Sequence, residues 1–311
     1  MTNDKLKIHV PVLKKEVLEI LDPKPNQNFI DCTIEEGGHA LAILEKTNPN
    51  GKILGIDWDQ EVIKSLKSKV ESLKLSQRLI LVNDSFVNLK EIVKKENFKD
   101  VEGILLDLGL SSWHLEKSGR GFTFQKDEPL DMRYNIITFG RSDQSYYELT
   151  AGKILNEWPE KEIEKILKEY GQERFAKRIS KKIIEERKIK PIRTTFQLVE
   201  IIKRATPVWY HHKKIHFATR TFQALRIAIN DELENLKKVL PQALEILERN
   251  GKLVVISFHS LEDLIVKNFF KKNFKKGLLK IITKKLIRPS AEEMKSNPRS
   301  RSARLRSALK L

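Results

Sequence analysis

Phe29-Ile30-Asp31-Cys32-Thr33-Ile34-Glu35-Glu36-Gly37-Gly38-His39-Ala40-Leu41 is an apolar strand that breaks at two glycines and runs into a helix, and Asp57 closes the next strand. Strand, glycine turn, helix and then a carboxylate after a second strand is how a doubly wound α/β domain holds an adenine nucleoside. Dinucleotide enzymes place three glycines in this turn so that a pyrophosphate lies against the helix N-terminus. Here Glu35 and Glu36 stand where that doubly charged group would sit, which disfavours a phosphate ligand. S-adenosylmethionine fits better: it carries a sulfonium cation and no phosphate, and the two hydroxyls of its ribose suit one acceptor carboxylate such as Asp57. On these residues alone, an ordinary strand-loop-helix unit of some α/β protein fits equally well.

Working outward, apolar runs bounded by turn residues predict strands at Asn28–Ile34, Lys52–Asp57, Arg78–Asn83, Val101–Asp107 and Lys252–Phe258. Helical patterns at Ala40–Glu45 and Glu61–Leu73 alternate with the early strands, which implies a parallel sheet. Between about Thr138 and Lys214 there are amphipathic helices, at Tyr146–Asn156, Pro159–Tyr170, Glu173–Arg187 and Phe196–Ala205, and no convincing strand. Thr194-Thr195-Phe196-Gln197 is a capping-box pattern opening the last of these. A long helix, Asp231–Arg249, returns the chain to the sheet, and Ser260 is placed to cap a helix at Leu261–Phe270. The expected organisation is a core of residues 1–137 and 215–311, interrupted by a helical domain at 138–214 that serves substrate recognition.

Composition narrows the partners. The 311 residues carry a formal net charge of +17 and a pI near 9.7, so a polyanion gains affinity through counterion release and nucleic acid leads. Lysine pairs such as Lys94-Lys95 read as solvated helix surface, whereas Pro298-Arg299-Ser300-Arg301-Ser302-Ala303-Arg304-Leu305-Arg306 has closely spaced arginines and no acid. Guanidinium forks match phosphates, so this basic C-terminal tail reads as a backbone clamp. No apolar run approaches the ~18 residues of a membrane span, and Met1 to Ile8 is polar, so a cytoplasmic protein is expected. The single cysteine, Cys32, excludes an internal disulfide and reads as a buried strand residue rather than a nucleophile. The seven histidines include a run from His211 to His216, but no carboxylate or thiol accompanies it at ligand spacing, so no metal is expected.

Several stretches, taken together and in order, carry a family resemblance. They are His9-Val10-Pro11-Val12-Leu13 with Gly37-Gly38-His39; Gly103-Ile104-Leu105-Leu106-Asp107-Leu108-Gly109-Leu110-Ser111-Ser112; Ala218-Thr219-Arg220-Thr221-Phe222-Gln223-Ala224-Leu225-Arg226; and Ile256-Ser257-Phe258-His259-Ser260-Leu261-Glu262-Asp263. Asp131-Met132-Arg133 and Asn297-Pro298-Arg299 add to them. The chain resembles the bacterial methyltransferases that modify N4 of a cytidine in small-subunit (16S) ribosomal RNA, the RsmH or MraW family. The resemblance implies a Rossmann-like class I S-adenosylmethionine-dependent methyltransferase core with an inserted all-helical domain. It also implies cofactor contacts at Gly37, Gly38, His39, Asp57, Phe86 and Asp107, and, where the family's glutamine is replaced by His114, a contact there. Asp57 would take the ribose hydroxyls, Phe86 the adenine face and Asp107 the methionine end. The chain departs from the family at Glu35, where glycine is usual, at Cys32, at Trp113-His114 and at Glu128.

Cytidine N4 is a poor nucleophile because its lone pair is delocalised into the ring, so acceptors must draw on its N–H bonds while the site orients it. Asp107 and the carbonyls of Leu108 and Gly109 lead as acceptors, and His259 is a second candidate for base or substrate contact, beside its reading as a structural histidine. Trp113, Phe122, Phe124 and Tyr134 are the aromatics available to sandwich an unstacked base. Arg220 and Arg226 serve phosphate or a packing interface. The expected partner is 16S rRNA or the small ribosomal subunit, with no membrane and no stable protein partner. The competing readings are an amino-methyltransferase acting on another nucleic acid, and an RNA-binding or ribosome-assembly protein impaired by Glu35 and Glu36.

Overall fold

The computed structural model describes residues 11–135 and 149–311. The chain divides into two compact units, one of residues 1–111 and 233–311, the other of residues 112–232. The first unit is a seven-stranded sheet. Its strands are β1 (Asn28–Asp31), β2 (Ile53–Asp57), β3 (Leu79–Asn83), β4 (Val101–Asp107), β5 (Lys252–Ser257), β6 (Leu279–Ile281) and β7 (Arg304–Lys310), in the order β3-β2-β1-β4-β5-β7-β6. β1 to β5 pair in parallel, while β7 runs antiparallel to both β5 and β6. This is the doubly wound order of a Rossmann-like class I core, with the strand order, not the strand direction, switching between β1 and β4.

The apolar runs form strands because both faces of the sheet are covered. Successive residues feed opposite cores, as the period-2 pleat requires. Ile30, Leu54, Ile104 and Val255 pack with Leu236, Val239 and Leu240 of the helix Glu232–Ile246 and with Val266 and Phe270 of the helix Ser260–Lys275. Their neighbours Phe29, Ile53, Leu105 and Val254 pack on the other side. There they meet Val17 and Leu21 of α1 (Lys14–Leu21), Ile43 of α2 (Gly38–Lys46) and Ile63 and Leu66 of α3 (Gln60–Ser72). Each such side chain contributes about 1.5–3 kcal/mol relative to exposure. The register sets Asp31 opposite Leu105, Asp107 opposite Ile256 and Asp57 opposite Asn83, so three strands finish on an aspartate at one edge of the sheet.

The basic C-terminal stretch is not a free tail. Pro298–Ser302 is a single 3₁₀ turn and Arg304–Lys310 is β7, held between β5 and β6. Arg306 donates from Nε and Nη2 to the Asp263 carboxylate at 2.6 and 3.2 Å. The clamp expected there gives way, at Arg306, to a half-buried ion pair that fastens β7 to a helix.

The second unit is helical. Following α4 (Leu89–Lys95) of the first unit, its helices are α5 (Ser112–Glu116), α6 (Ala151–Glu157), α7 (Glu160–Glu169), α8 (Ala176–Arg187), α9 (Thr195–Ala205), α10 (Val208–His211) and α11 (Thr219–Asn230). Its core is built from helical-period positions, including Ile154, Ile163, Leu167, Ile179, Ile183, Leu198, Ile202 and Leu225. At the start of α9, Gln197 reaches back to accept from the Thr194 backbone N–H at 3.2 Å, as the capping pattern predicts. The unit is wider than 138–214 because α5, the 120–134 strip and α11 belong to it: Asn230 of α11 donates to the Met132 carbonyl and accepts from the Tyr134 N–H. Arg226 pairs with Glu232 at 2.8 and 2.9 Å, and Arg220 donates to the Gln172 carbonyl. The sequence boundary at 137/138, the first residues of the Tyr146–Asn156 helix and the His9-Val10 part of the first motif lie outside the described residues. Among the described residues, no helix is long and apolar enough to cross a membrane.

Candidate active site

The site is built where β1, β2 and β4 end. After Asp31 the chain leaves the sheet through Cys32, whose N–H still donates to Leu105, and Ile34, whose N–H donates to Ile56. It then reverses through two left-handed residues, Glu35 at φ 47° and Gly37 at φ 78°. A Cβ on Gly37 would lie 2.9 Å from Leu66, and one on Gly38 would lie 2.8 Å from Pro11, so this turn has no room for side chains at either glycine. Glu35 meets the left-handed geometry at a cost, on the order of 1–2 kcal/mol for an L-residue.

Asp57 organises this turn. Its Oδ2 accepts from the Glu35 N–H at 3.1 Å and its Oδ1 from the Asp59 N–H at 2.8 Å, which fixes the carboxylate plane. A carboxylate held in this way is an acceptor of the kind that ribose hydroxyls require. Thr33, which sequence reasoning passed over, accepts from the Asp107 N–H through Oγ1 at 2.7 Å and so sets the end of β4 against the end of β1.

Asp107 is 7% exposed and His39, from the first turn of α2, is 6% exposed. Their Oδ2 and Nε2 atoms are 3.6 Å apart, an ion-pair distance too long for a hydrogen bond. Among the described residues, both His39 ring nitrogens and Asp107 Oδ1 are buried with no hydrogen-bond partner. Buried polar atoms are satisfied in nearly all folded proteins, so an imidazole and a carboxylate left open at one spot fit a polar ligand.

The charge of the edge defines that ligand further. Burial, reinforced by Asp107 and Asp57 and opposed by His39, pushes Asp31 up to about 6. Burial and then the neighbouring Asp107, Asp57, Asp31 and Glu36 push Glu35 well above the usual carboxylate range. A crowd of carboxylates whose ionisation is resisted is relieved by a cation and worsened by a phosphate. The set therefore fits S-adenosylmethionine, with its sulfonium, its ammonium and its ribose diol. Burial, with Asp31 beside it, raises the Cys32 thiol well above its ordinary value, which suits a structural residue and not a nucleophile.

Phe86 follows β3 in a 3₁₀ turn (Phe86–Asn88) capped by Ser85, half-buried against the core. His259 uses one ring nitrogen for structure, while its Nε2 is buried 3.2 Å from Glu262 Oε1 with no hydrogen-bond partner among the described residues. It is the N-cap of the helix Ser260–Lys275, the position the sequence assigns to Ser260: its Nδ1 accepts from the Glu262 N–H, and Glu262 Oε2 accepts from the Phe258 and His259 N–H groups. His114 belongs to the helical unit, where it is buried edge-on to Phe122 and Tyr134 at ring distances of 5.1 and 5.0 Å. Phe122 and Tyr134 stack on each other at 5.4 Å, and Phe124 stacks on His216 at 4.5 Å.

Comparison with known proteins agrees with this chemistry. The model of the MraW methylase family matches residues 7–311. A relative from Thermotoga neapolitana is 46% identical over 303 residues, covering 96% of this chain and 95% of its own length. One from Heliobacterium mobile is 46% identical over 319 residues (97% and 99% covered), and one from Thermosipho melanesiensis is 46% identical over 307 residues (98% of each). All three are named ribosomal RNA small subunit methyltransferase H.

Proposed function

The chain belongs to the MraW methylase family, and on that premise we propose that it methylates the N4 amine of a cytidine in small-subunit (16S) ribosomal RNA, using S-adenosylmethionine. The observation that carries this reading is the open His39–Asp107 pair at an edge crowded with carboxylates, a receptor for a cationic nucleoside and not for a phosphate. When bound, S-adenosylmethionine supplies a methyl group on a sulfonium, activated for displacement by a nitrogen.

In this reading Asp57 holds the ribose hydroxyls, Gly37 and Gly38 let the backbone approach the nucleoside, and Phe86 covers the adenine. His39 and Asp107 hold the amino-acid end, and Asp107 with the Leu108 and Gly109 carbonyls accepts from the N–H bonds of the target amine. His114 is assigned to cofactor contact on the family pattern alone. The named relatives support ribosomal RNA, free or in the small subunit, as the substrate, and such an enzyme works in the cytoplasm. The test is nucleoside mass spectrometry of small-subunit RNA from cells with and without this protein. Loss of N4-methylated cytidine in its absence is expected; an unchanged nucleoside profile overturns the proposal.

A further inference from the structure

One face of the helical unit combines an exposed indole with cations. Trp209, in α10, is 48% exposed, and Val208 beside it is 70% exposed. The Arg174 guanidinium lies 5.0 Å from the Trp209 ring centroid and 5.2 Å from that of Phe175. The Lys213 ammonium lies 5.4 Å from Trp209, and the Arg178 guanidinium 5.8 Å from Phe175. Arg174, Arg178 and Lys213 are themselves exposed.

The rings are fixed from beneath. Phe175, Trp209 and Tyr210 meet edge-on, with centroids 4.9–5.9 Å apart. Tyr210 is buried and donates its hydroxyl to Glu173 Oε2 at 2.8 Å, while Glu173 Oε1 accepts from the Phe175 N–H at 2.9 Å. Glu173 is 3% exposed, so the carboxylate in this cluster is spent inside it and the surface keeps its positive charge. A rigid, half-exposed indole flanked by arginines and a lysine is what single-stranded nucleic acid uses: a base stacks on the ring and the cations take the adjoining phosphates.

We propose that the Trp209 face is a stacking platform for an unpaired nucleotide of the RNA substrate, with Arg174, Arg178 and Lys213 taking the flanking phosphates. The identity of the partner rests on the ribosomal-RNA reading above. A stacking base displaces one cation from over the indole, and that cation turns to the neighbouring phosphate. The exposed Lys213-Lys214 segment after α10 has the reach for this exchange.

The test uses the full chain and fluorescence anisotropy with a labelled single-stranded oligocytidylate and an RNA duplex of equal length. Trp209→Ala should weaken single-strand binding about tenfold, and Trp209→Phe should keep most of it. Replacing Arg174 and Lys213 together by Ala should lower the salt slope by roughly 1.4, about 0.7 for each phosphate contact on a single strand. Calorimetry with S-adenosylmethionine should be unchanged in all three variants, which shows that they fold. Unchanged single-strand affinity in Trp209→Ala overturns the platform, as does an equal loss toward duplex and single strand. Methylation of small-subunit RNA by the wild-type protein is measured alongside. If it occurs and Trp209→Ala binds normally, only the platform falls; if it is absent and Trp209→Ala still loses RNA affinity, the substrate reading falls and the platform stands.

Discussion

The carboxyl edge of the sheet and the Trp209 face of the helical unit solve opposite recognition problems within one basic chain. At the first, Asp31 and Glu35, whose burial resists ionisation, are gathered with Asp57, Asp107 and one imidazole. At the second, cations stand exposed over aromatic rings, and the carboxylate among them is buried beneath. Net charge therefore describes neither site. What each region can bind follows from which charges are desolvated: buried carboxylates select a compact cation, and solvated guanidinium groups select a polyanion.

The largest effect should come from removing the organiser of the acidic edge. Asp57→Ala deletes the ribose acceptor and leaves the Glu35 and Asp59 N–H groups without their present partner. Hydrogen bonds to a charged group are worth about 1.5–3 kcal/mol, so S-adenosylmethionine affinity by calorimetry should fall about 10- to 100-fold, while RNA affinity stays near that of the wild type. Equal losses toward both ligands would mean that the two regions are not separable recognition sites.

Arginines sharpen the contrast next. Arg306→Ala should cost about 2 kcal/mol in denaturant unfolding, because Asp263 keeps a half-buried charge without its partner. It should leave the salt slope of RNA binding unchanged, unlike the Arg174 and Lys213 changes. A flattened slope in Arg306→Ala would return β7 to the role of a phosphate clamp.

That arginine also shows where reading the chain stops. The five parallel strands were legible because each is a continuous apolar run, buried on both faces in β1, β2, β4 and β5 and partly buried in the edge strand β3. β7 was not: Arg304 and Arg306 alternate with Leu305 and Ser307, and the run's polarity is explained only once Asp263, from a helix distant in sequence, is seen to pair with Arg306. Asp57 and Asp107 were legible as carboxylates ending strands. Thr33 was not, because its role is to meet the end of a neighbouring strand. His259 reads from sequence as either a reactive or a structural histidine, and the cap made by its Nδ1 becomes visible only once the Glu262 side chain is seen folding back on the same turn. The Trp209 cluster assembles Arg174 and Phe175, just before α8, with Trp209 in α10, and no local pattern announces that juxtaposition.

A smaller effect separates the acidic edge from the rest by pH. Asp31 sits near 6 in the folded chain, above its unfolded value, so the folded state binds a proton more readily. Stability of the free protein should therefore fall as pH rises from about 4 to about 6. Cofactor affinity should move the other way, gaining up to about tenfold between pH 5 and 7, because a cation favours the ionised carboxylate. Asp31→Asn should flatten both profiles. Parallel profiles for wild type and variant would show that Asp31 does not couple to the bound cation.

The smallest expected effect is the most discriminating, because strain and charge at Glu35 pull in opposite directions. Glu35 holds a left-handed backbone at φ 47° and its carboxylate crowds Asp107 and Asp57. Glu35→Gly relieves the backbone, a gain partly offset by the freer unfolded chain, and the net should be about 0.5–1 kcal/mol of added stability in denaturant unfolding. If the carboxylate helps to hold a cation, the same substitution should weaken S-adenosylmethionine binding a few-fold, since part of the attraction is gone while the N–H bond to Asp57 remains. A more stable protein with weaker cofactor binding would make Glu35 a strained residue retained for its charge. A more stable protein with tighter binding would reduce it to an obstruction in the turn, and the acidic edge would then owe its selectivity to Asp31, Asp57 and Asp107.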